Sequence, residues 1–387
     1  MSTSDNAYQE LARIFSTRNN RILEIEILPP TLGPLLQEDC SVGITKKYLV
    51  QAFVTARRIF FGNLRLSPEC ETLCATAQDE NESSAQGASD KNLEDLLAST
   101  EIILLFDCEH LTACNWRRRR LDDLKRHHDL SPSDPKPLIQ ALETELTLMT
   151  TYLCSPLHRH TKSPTLWQHR IWLLKGLLQV RGAQVIAMRP QMACSTSQRT
   201  QSGQRYLEQE SAINLLRSEL DIVFRAGELH PRNYYAFSYM RQVHSILSDT
   251  MEIPETRAVL SESIIDSTLK WCLAHPSDIS GWTYILHLLE AVTEGKLRLD
   301  TVNKVVRYAL DVGWEGESLW TFIDLAAKAF DVEDMVSNTL QRTAATRFTT
   351  TIELSDGSTR AAVVSEPSWK SWLTMARAYW TNHNEVV

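Results

Sequence analysis

The chain has 387 residues, 43% of them hydrophobic and 23% charged, with a formal net charge of −8. That balance describes a globular chain of one large or two ordinary domains with ample material for a core. The acidic excess argues against broad contact with a nucleic-acid backbone, and no apolar run reaches membrane-spanning length.

In chain order, a short helix is expected around Tyr8 to Thr17, then an extended piece at Ile25 to Pro34, where Pro29 and Pro30 forbid helix. A stronger helix follows from about Thr45 to Phe61, with Tyr48, Leu49, Ala52, Phe53, Ala56, Ile59 and Phe60 inward. Residues from about Ser67 to Asn92 are polar and poor in large apolar groups, as in a solvated linker or a disordered insertion. Leu93 to Phe106 and Thr112 to Lys125 read as a helical pair, with the turn at Asp107 to Leu111. A proline-rich loop at 131–137 precedes a helix from Leu138 to Leu153. A further helix starts at Pro164, and a second polar insertion covers about 189–203. Helical pairs resume at Leu207 to Ala226 with Tyr234 to Leu247, Glu255 to Leu273 with Gly281 to Val292, and Asp300 to Leu310 with Glu317 to Phe330. A small hairpin around Asp356-Gly357 and a closing helix from Ser368 to Tyr379 complete the chain. The domains expected are a helical segment at 1–62, a polar linker at 63–92, helical repeats at 93–345, and a C-terminal loop and helix at 346–387.

One local grammar recurs. Ser163 is a good N-cap and Pro164 falls at the first helical position. Leu166, Trp167, Arg170, Ile171, Leu174 and Leu178 follow on one face. A capping or turn residue also stands four places before a large apolar residue in Asn233 and Phe237, Asp278 and Trp282, Gly316 and Trp320, Ser365 and Trp369, and more weakly in His110 and Cys114. Irregular spacing of these pairs, with helices and no strand signal, predicts stacked helical hairpins interrupted by insertions: an all-α fold, an α–α superhelix or solenoid.

Chemistry-bearing motifs are few. There is no Gly-rich phosphate loop, no Gly-x-Ser-x-Gly turn and no His-Glu-x-x-His helix. The eight cysteines (40, 70, 74, 108, 114, 154, 194 and 272) include no Cys-x-x-Cys pair. Scattered free thiols, and an N-terminus without signal-peptide order, lead to the expectation of a reducing, cytoplasmic location and no metal site in this chain. The Arg117–Arg120 run is expected to be a solvated, partly stem-packed helix face, with an anionic ligand or acidic partner as the alternative. Lys162 precedes a capped helix whose amide dipoles favour an anion, and Arg232 stands at the equivalent place of the next hairpin, five before Phe237. Two cations on one rim would suit a diphosphate or an acidic partner; the alternative is two ordinary surface cations.

These motifs resemble the α-subunit repeats of protein prenyltransferases, roughly Asn-Tyr-x-x-Trp-x-x-Arg. Trp167-Gln-His-Arg170 matches well, Asn233-Tyr234-Tyr-Ala-Phe237 matches with Phe for Trp and Arg241 displaced by one, and Cys114-Asn-Trp-Arg117 matches with Cys for Trp. Lys162-Ser-Pro-Thr-Leu-Trp167, Ser277-Asp-Ile-Ser-Gly-Trp282 and Glu317-Ser-Leu-Trp320 look like a divergent branch of that family, the prenyltransferase alpha-subunit repeat-containing proteins. The resemblance covers about residues 93–330. It implies an α-type subunit, inactive alone, that wraps a separate β subunit carrying zinc and most of the prenyl diphosphate pocket. The reaction implied is prenyl, expectedly geranylgeranyl, transfer to the acceptor cysteine of a protein substrate, with the β subunit used for Rab proteins as the expected partner. By the resemblance Lys162 would stabilise the diphosphate, while Arg232, Tyr234 and Tyr235 would line its binding site. The family tyrosine is Pro164 here. Trp167, Arg170, Phe237, Trp282 and Trp320 are the structural repeat positions, the tryptophans filling space and Arg170 and Arg117 satisfying carbonyls of adjacent turns. A non-catalytic helical-repeat adaptor is the rival reading.

Overall fold

Apolar stripes of helical period and good N-caps dominate the sequence, and the structure follows them. It is a computed structural model that describes residues 3–65, 82–130, 135–157, 159–181, 201–251, 254–347, 351–353 and 359–361. Among these lie thirteen α-helices. They are α1 (Thr3–Ser16), α2 (Lys46–Arg65), α3 (Glu82–Phe106), α4 (Leu111–Leu130), α5 (Lys136–Cys154), α6 (Pro164–Arg181) and α7 (Gln201–Leu229). Then come α8 (Tyr234–Asp249), α9 (Pro254–Ala274), α10 (Ile279–Ala291), α11 (Gly295–Val312), α12 (Glu317–Ala329) and α13 (Glu333–Arg347). The expected all-α repeat fold is therefore present, with small β additions.

The largest addition lies near the N-terminus. Strands β1 (Glu24–Leu28), β2 (Leu35–Glu38) and β3 (Ser41–Thr45) form a sheet in the order β1-β3-β2, with β1 parallel and β2 antiparallel to β3. The extended piece expected at Ile25 to Pro34 thus belongs to a small sheet within the helical segment. Ile25, Val42 and Ile44 supply the buried face, and Pro30 opens a 3-10 turn between β1 and β2. Hydroxyls of α5 occupy the free side of the β1 chain: the Leu23 N–H donates to Thr151 Oγ1 at 3.1 Å and the Ile25 N–H to Ser155 Oγ at 2.9 Å. An edge that would otherwise invite pairing is covered.

Two insertions expected from composition fall largely outside the described residues, at 66–81 and 182–200. Where their flanks are described they are helical: α3 begins at Glu82 and α7 at Gln201, because Glu, Gln, Ala and Ser extend a helix already anchored by apolar turns. Helix α13 had no counterpart in the sequence reading. Strands β4 (Thr351–Glu353) and β5 (Thr359–Ala361) pair antiparallel, the small hairpin suggested by Asp356-Gly357. The closing helix with Trp369, and Cys70, Cys74 and Cys194, lie outside the described residues.

The chain divides into two compact units, Met1–Ser211 with Ser218–Met240 and Ala212–Arg217 with Arg241–Val387, a different division from the single 93–345 repeat domain. In the first, α2 packs on α1 and α3, and α3 to α6 pack in succession. In the second, α10 packs on α9 and α12, and α11 on α12 and α13. A Cβ on Gly281 would come within 2.6 Å of the Trp271 ring, so only glycine allows α9 and α10 to meet so closely. Gly313 ends α11 in the left-handed conformation, with φ 65°.

Candidate functional site

The repeat grammar has a shared geometry. In four hairpins the residue four before the key position caps its helix: His110 Nδ1, Ser163 Oγ and Asn233 Oδ1 accept from the N–H three residues on, and Asp278 Oδ1 accepts from Ser280 and Gly281; Gly316 is the N-cap of α12 without a side-chain bond. Each key tryptophan among the described residues also donates its indole N–H to the carbonyl six residues before it. Trp167 reaches Thr161 at 2.9 Å, Trp282 reaches Pro276 at 2.9 Å and Trp320 reaches Trp314 at 2.8 Å. Where the tryptophan is missing, another donor serves the same carbonyl. In the Cys114 repeat it is Ser163 Oγ, 3.2 Å from the Cys108 carbonyl. In the Phe237 repeat it is Lys162 Nζ, 3.0 Å from the Pro231 carbonyl.

That last bond joins the two loops of the expected rim. Lys162 ends a 3-10 turn (His160–Lys162) and lies against the loop before α8. In that loop Arg232 takes a left-handed conformation, φ 58°, and is exposed. Tyr234 and Tyr235 follow on the first turn of α8, 64% and 44% exposed, with ring centroids 6.2 Å apart. Buried Asn233 ties the two loops by donating to the Thr161 carbonyl at 2.6 Å, and Thr161 Oγ1 lies 2.7 Å from His230 Nδ1. Lys162 thus lies against the loop that carries Arg232, and exposed Tyr234 and Tyr235 open the helix that follows it. One Lys162 N–H is committed to a carbonyl, and the ammonium carries two more donors. The substitution Lys162→Ala leaves the Pro231 carbonyl to water and should cost at most about 1 kcal/mol, whereas Asn233→Ala removes a buried cap and tie and should cost about 1–2 kcal/mol. Thermal denaturation of the two variants checks the order.

The repeat arginines do more than satisfy carbonyls. Arg117 donates from Nε and Nη2 to Glu145 at 2.7 and 2.6 Å, and from Nη1 to Thr100 Oγ1 and the Leu97 carbonyl. Arg170 repeats this one hairpin later: Nε and Nη2 donate to Glu219 at 2.9 and 2.8 Å, and Nη1 to Thr150 Oγ1 and the Leu146 carbonyl. Each carboxylate takes one more partner from the helix two residues past the next key position, His169 Nε2 on Glu145 and the Tyr239 hydroxyl on Glu219. Arg118 Nε donates to His169 Nδ1, which places the proton facing Glu145 on Nε2; burial would lower the His169 pKa, but hydrogen bonds to Cys114 and Glu145 raise it. Burial alone would push the Glu145 carboxyl up; Arg117 and His169 override it and hold it well below the usual carboxylate range. At the same position the later repeats carry Met240, Ile285 and Ile323, all fully buried. The expected solvated face at 117–120 is corrected accordingly: Arg117 is buried, Arg118 and Arg120 are half-buried, and Arg119 alone is exposed. Glu145 and Glu219 escaped the sequence reading, although each is a lone acid among leucines on an apolar helix face.

Two buried histidines give the fold a pH limb. Burial pushes His160 and His244 down to about 4; His160 Nε2 bonds the Leu104 carbonyl, and His244 Nε2 bonds Ser261 Oγ with His287 nearby. Both are neutral in the fold and would protonate more readily unfolded, so their stabilisation is whole above pH ~6.5 and is lost as pH falls towards ~4. Each contributes on the order of 3 kcal/mol across that window. Urea midpoints should fall between those pH values and flatten in His160→Asn/His244→Asn.

Among the described residues no three His, Cys, Asp or Glu side chains converge as a metal site, and no helix is long and apolar enough to cross a membrane. Capped hairpins with buried Arg–Glu rungs define a helical-repeat protein. The chain is similar to the protein prenyltransferase alpha subunit repeat-containing proteins. It is 24% identical to protein 1-A of Xenopus laevis over 55% of this chain and 41% of that one. It is 28% identical to protein 1 of Danio rerio over 36% and 28%, and 26% identical to that of Homo sapiens over 35% and 29%. The matches thus span less than half of these relatives' lengths. A family model described as the ECM9 middle domain matches residues 199–310.

Proposed function

We propose that this chain is the α-type subunit of a heterodimeric protein prenyltransferase, acting in the cytoplasm. Its role would be to hold a zinc-bearing β subunit and help present the acceptor cysteine of a protein substrate, with geranylgeranyl as the expected group and the Rab-type β subunit as the expected partner. The observation that carries the reading is the bond of Lys162 to the loop that carries Arg232, with exposed Tyr234 and Tyr235 opening the helix that follows. In this reading the cysteine sulfur forms a thioether as the bond from the prenyl carbon to diphosphate breaks. Negative charge then gathers on the diphosphate, and the rim cations and helix N-termini stabilise it without a nucleophile from this chain. Metal activation of the thiolate belongs to the partner.

Co-expression with each prenyltransferase β subunit of the same organism tests the assembly. A one-to-one complex with prenyl transfer supports the proposal; a well-folded chain that assembles with none of them defeats it. In an active complex, unchanged turnover of Lys162→Ala removes the diphosphate role and leaves the subunit assignment standing. The second reading, a non-catalytic helical-repeat adaptor, is favoured by Pro164 at the family tyrosine and by the bond that ties Lys162 to Pro231.

A further inference from the structure

Helix α2 is strongly basic in an acidic chain. Its sequence holds Lys46, Lys47, Arg57, Arg58 and Arg65 and no Asp or Glu, in a chain of net charge −8. Tyr48, Leu49, Ala52, Thr55, Ala56 and Phe60 are buried, and the helix packs on α1 and α3. The opposite face leaves Val50 and Val54 37% and 59% exposed, one helical turn apart. Half-buried Phe53 borders them and stacks on exposed Phe106 of α3, centroids 4.1 Å apart. Phe61 lies 6.3 Å from His110, and Leu111 beside it opens α4 to solvent.

The cations frame this apolar strip. Arg57 lies over the Phe53 and Phe61 rings, 5.9 and 5.4 Å from their centroids, which holds its guanidinium at the strip. Lys46, Lys47 and Arg57 make no ion pair with a described residue, while Arg58 pairs with Asp5 of α1.

We propose that the outer face of α2, widened by Phe106 and Leu111, is a docking surface for an acidic amphipathic helix of a partner protein. Apolar side chains of such a helix, at spacings of three and four, would lie along Val50, Phe53, Val54 and Phe106. Its flanking carboxylates would meet Lys46, Lys47 and Arg57, which make no ion pair with a described residue. A second copy of the same face would set cation against cation. A flat anionic bilayer would extend past the strip onto α1, which carries Asp5 and Glu10, whereas a single helix lies on the strip alone. This surface is independent of the Lys162 rim and of the prenyltransferase reading.

The probe is a labelled synthetic helix with leucines at amphipathic spacing and glutamates elsewhere, titrated into the full chain by fluorescence anisotropy beside a scrambled peptide of equal composition. The acidic amphipathic helix should bind at least about tenfold tighter than the scramble, and Val54→Asp or Arg57→Glu should each weaken it about fivefold or more at unchanged Tm. Equal binding of the two peptides, or variants that bind as the parent does, overturns the proposal. So does sedimentation with phosphatidylserine vesicles that Val54→Asp abolishes, which would make the face a membrane contact, or a dimer that the same substitution dissolves.

Discussion

Arg170→Met should lower the unfolding free energy by about 3–5 kcal/mol, because it leaves the Glu219 carboxylate buried without its cation. The guanidinium is almost fully enclosed and its four hydrogen bonds bridge three helices, α5, α6 and α7. Methionine fits the position by shape, as Met240 does one repeat later, so the loss would come from charge and not from a cavity. Neutralising the partner separates the two causes. Arg170→Met/Glu219→Gln keeps an acceptor for the Tyr239 hydroxyl and should recover at least about 2 kcal/mol of the loss. Urea titration of the parent and both variants reads the result. A double variant no more stable than Arg170→Met would mean that side-chain packing, and not the ion pair, holds this layer.

Trp282→Ala should cost about 3–5 kcal/mol in the second unit. The ring is fully buried, sits 5.0 Å from the Phe322 ring and donates to the Pro276 carbonyl. Trp282→Phe tests the parts separately. It keeps most of the ring contact and strands the carbonyl, so its cost should be about 1–3 kcal/mol. The Phe237 repeat tolerates the same exchange because Lys162 supplies the missing donor. Equal costs for Ala and Phe at 282 would show that the indole hydrogen bond outweighs the ring packing.

Much of the architecture was legible in the sequence. The cap-to-tryptophan spacing located α6, α8, α10 and α12, because capping and amphipathic periodicity act within one or two helical turns and leave their mark on neighbouring residues. The same spacing placed Lys162 and Arg232 at equivalent points of successive hairpins. The sheet was harder to read: β1 to β3 are four or five residues long, and β1 meets β3 in parallel across an intervening turn and strand. The two-residue turn between β2 and β3, Asp39-Cys40, lacks the Asn-Gly or Asp-Gly signature, and no long alternating run marked the strands.

The sequence by itself determined the class of helices, their caps and the positions that repeat. Tertiary structure decided what those positions hold. Arg170 meets Glu219 across 49 residues, Lys162 meets Pro231 across 69, and four adjacent arginines are divided among a buried ion pair, a histidine and solvent. A helix can be specified by neighbours three and four apart, whereas the partner of a buried charge depends on which distant face the packed core presents to it.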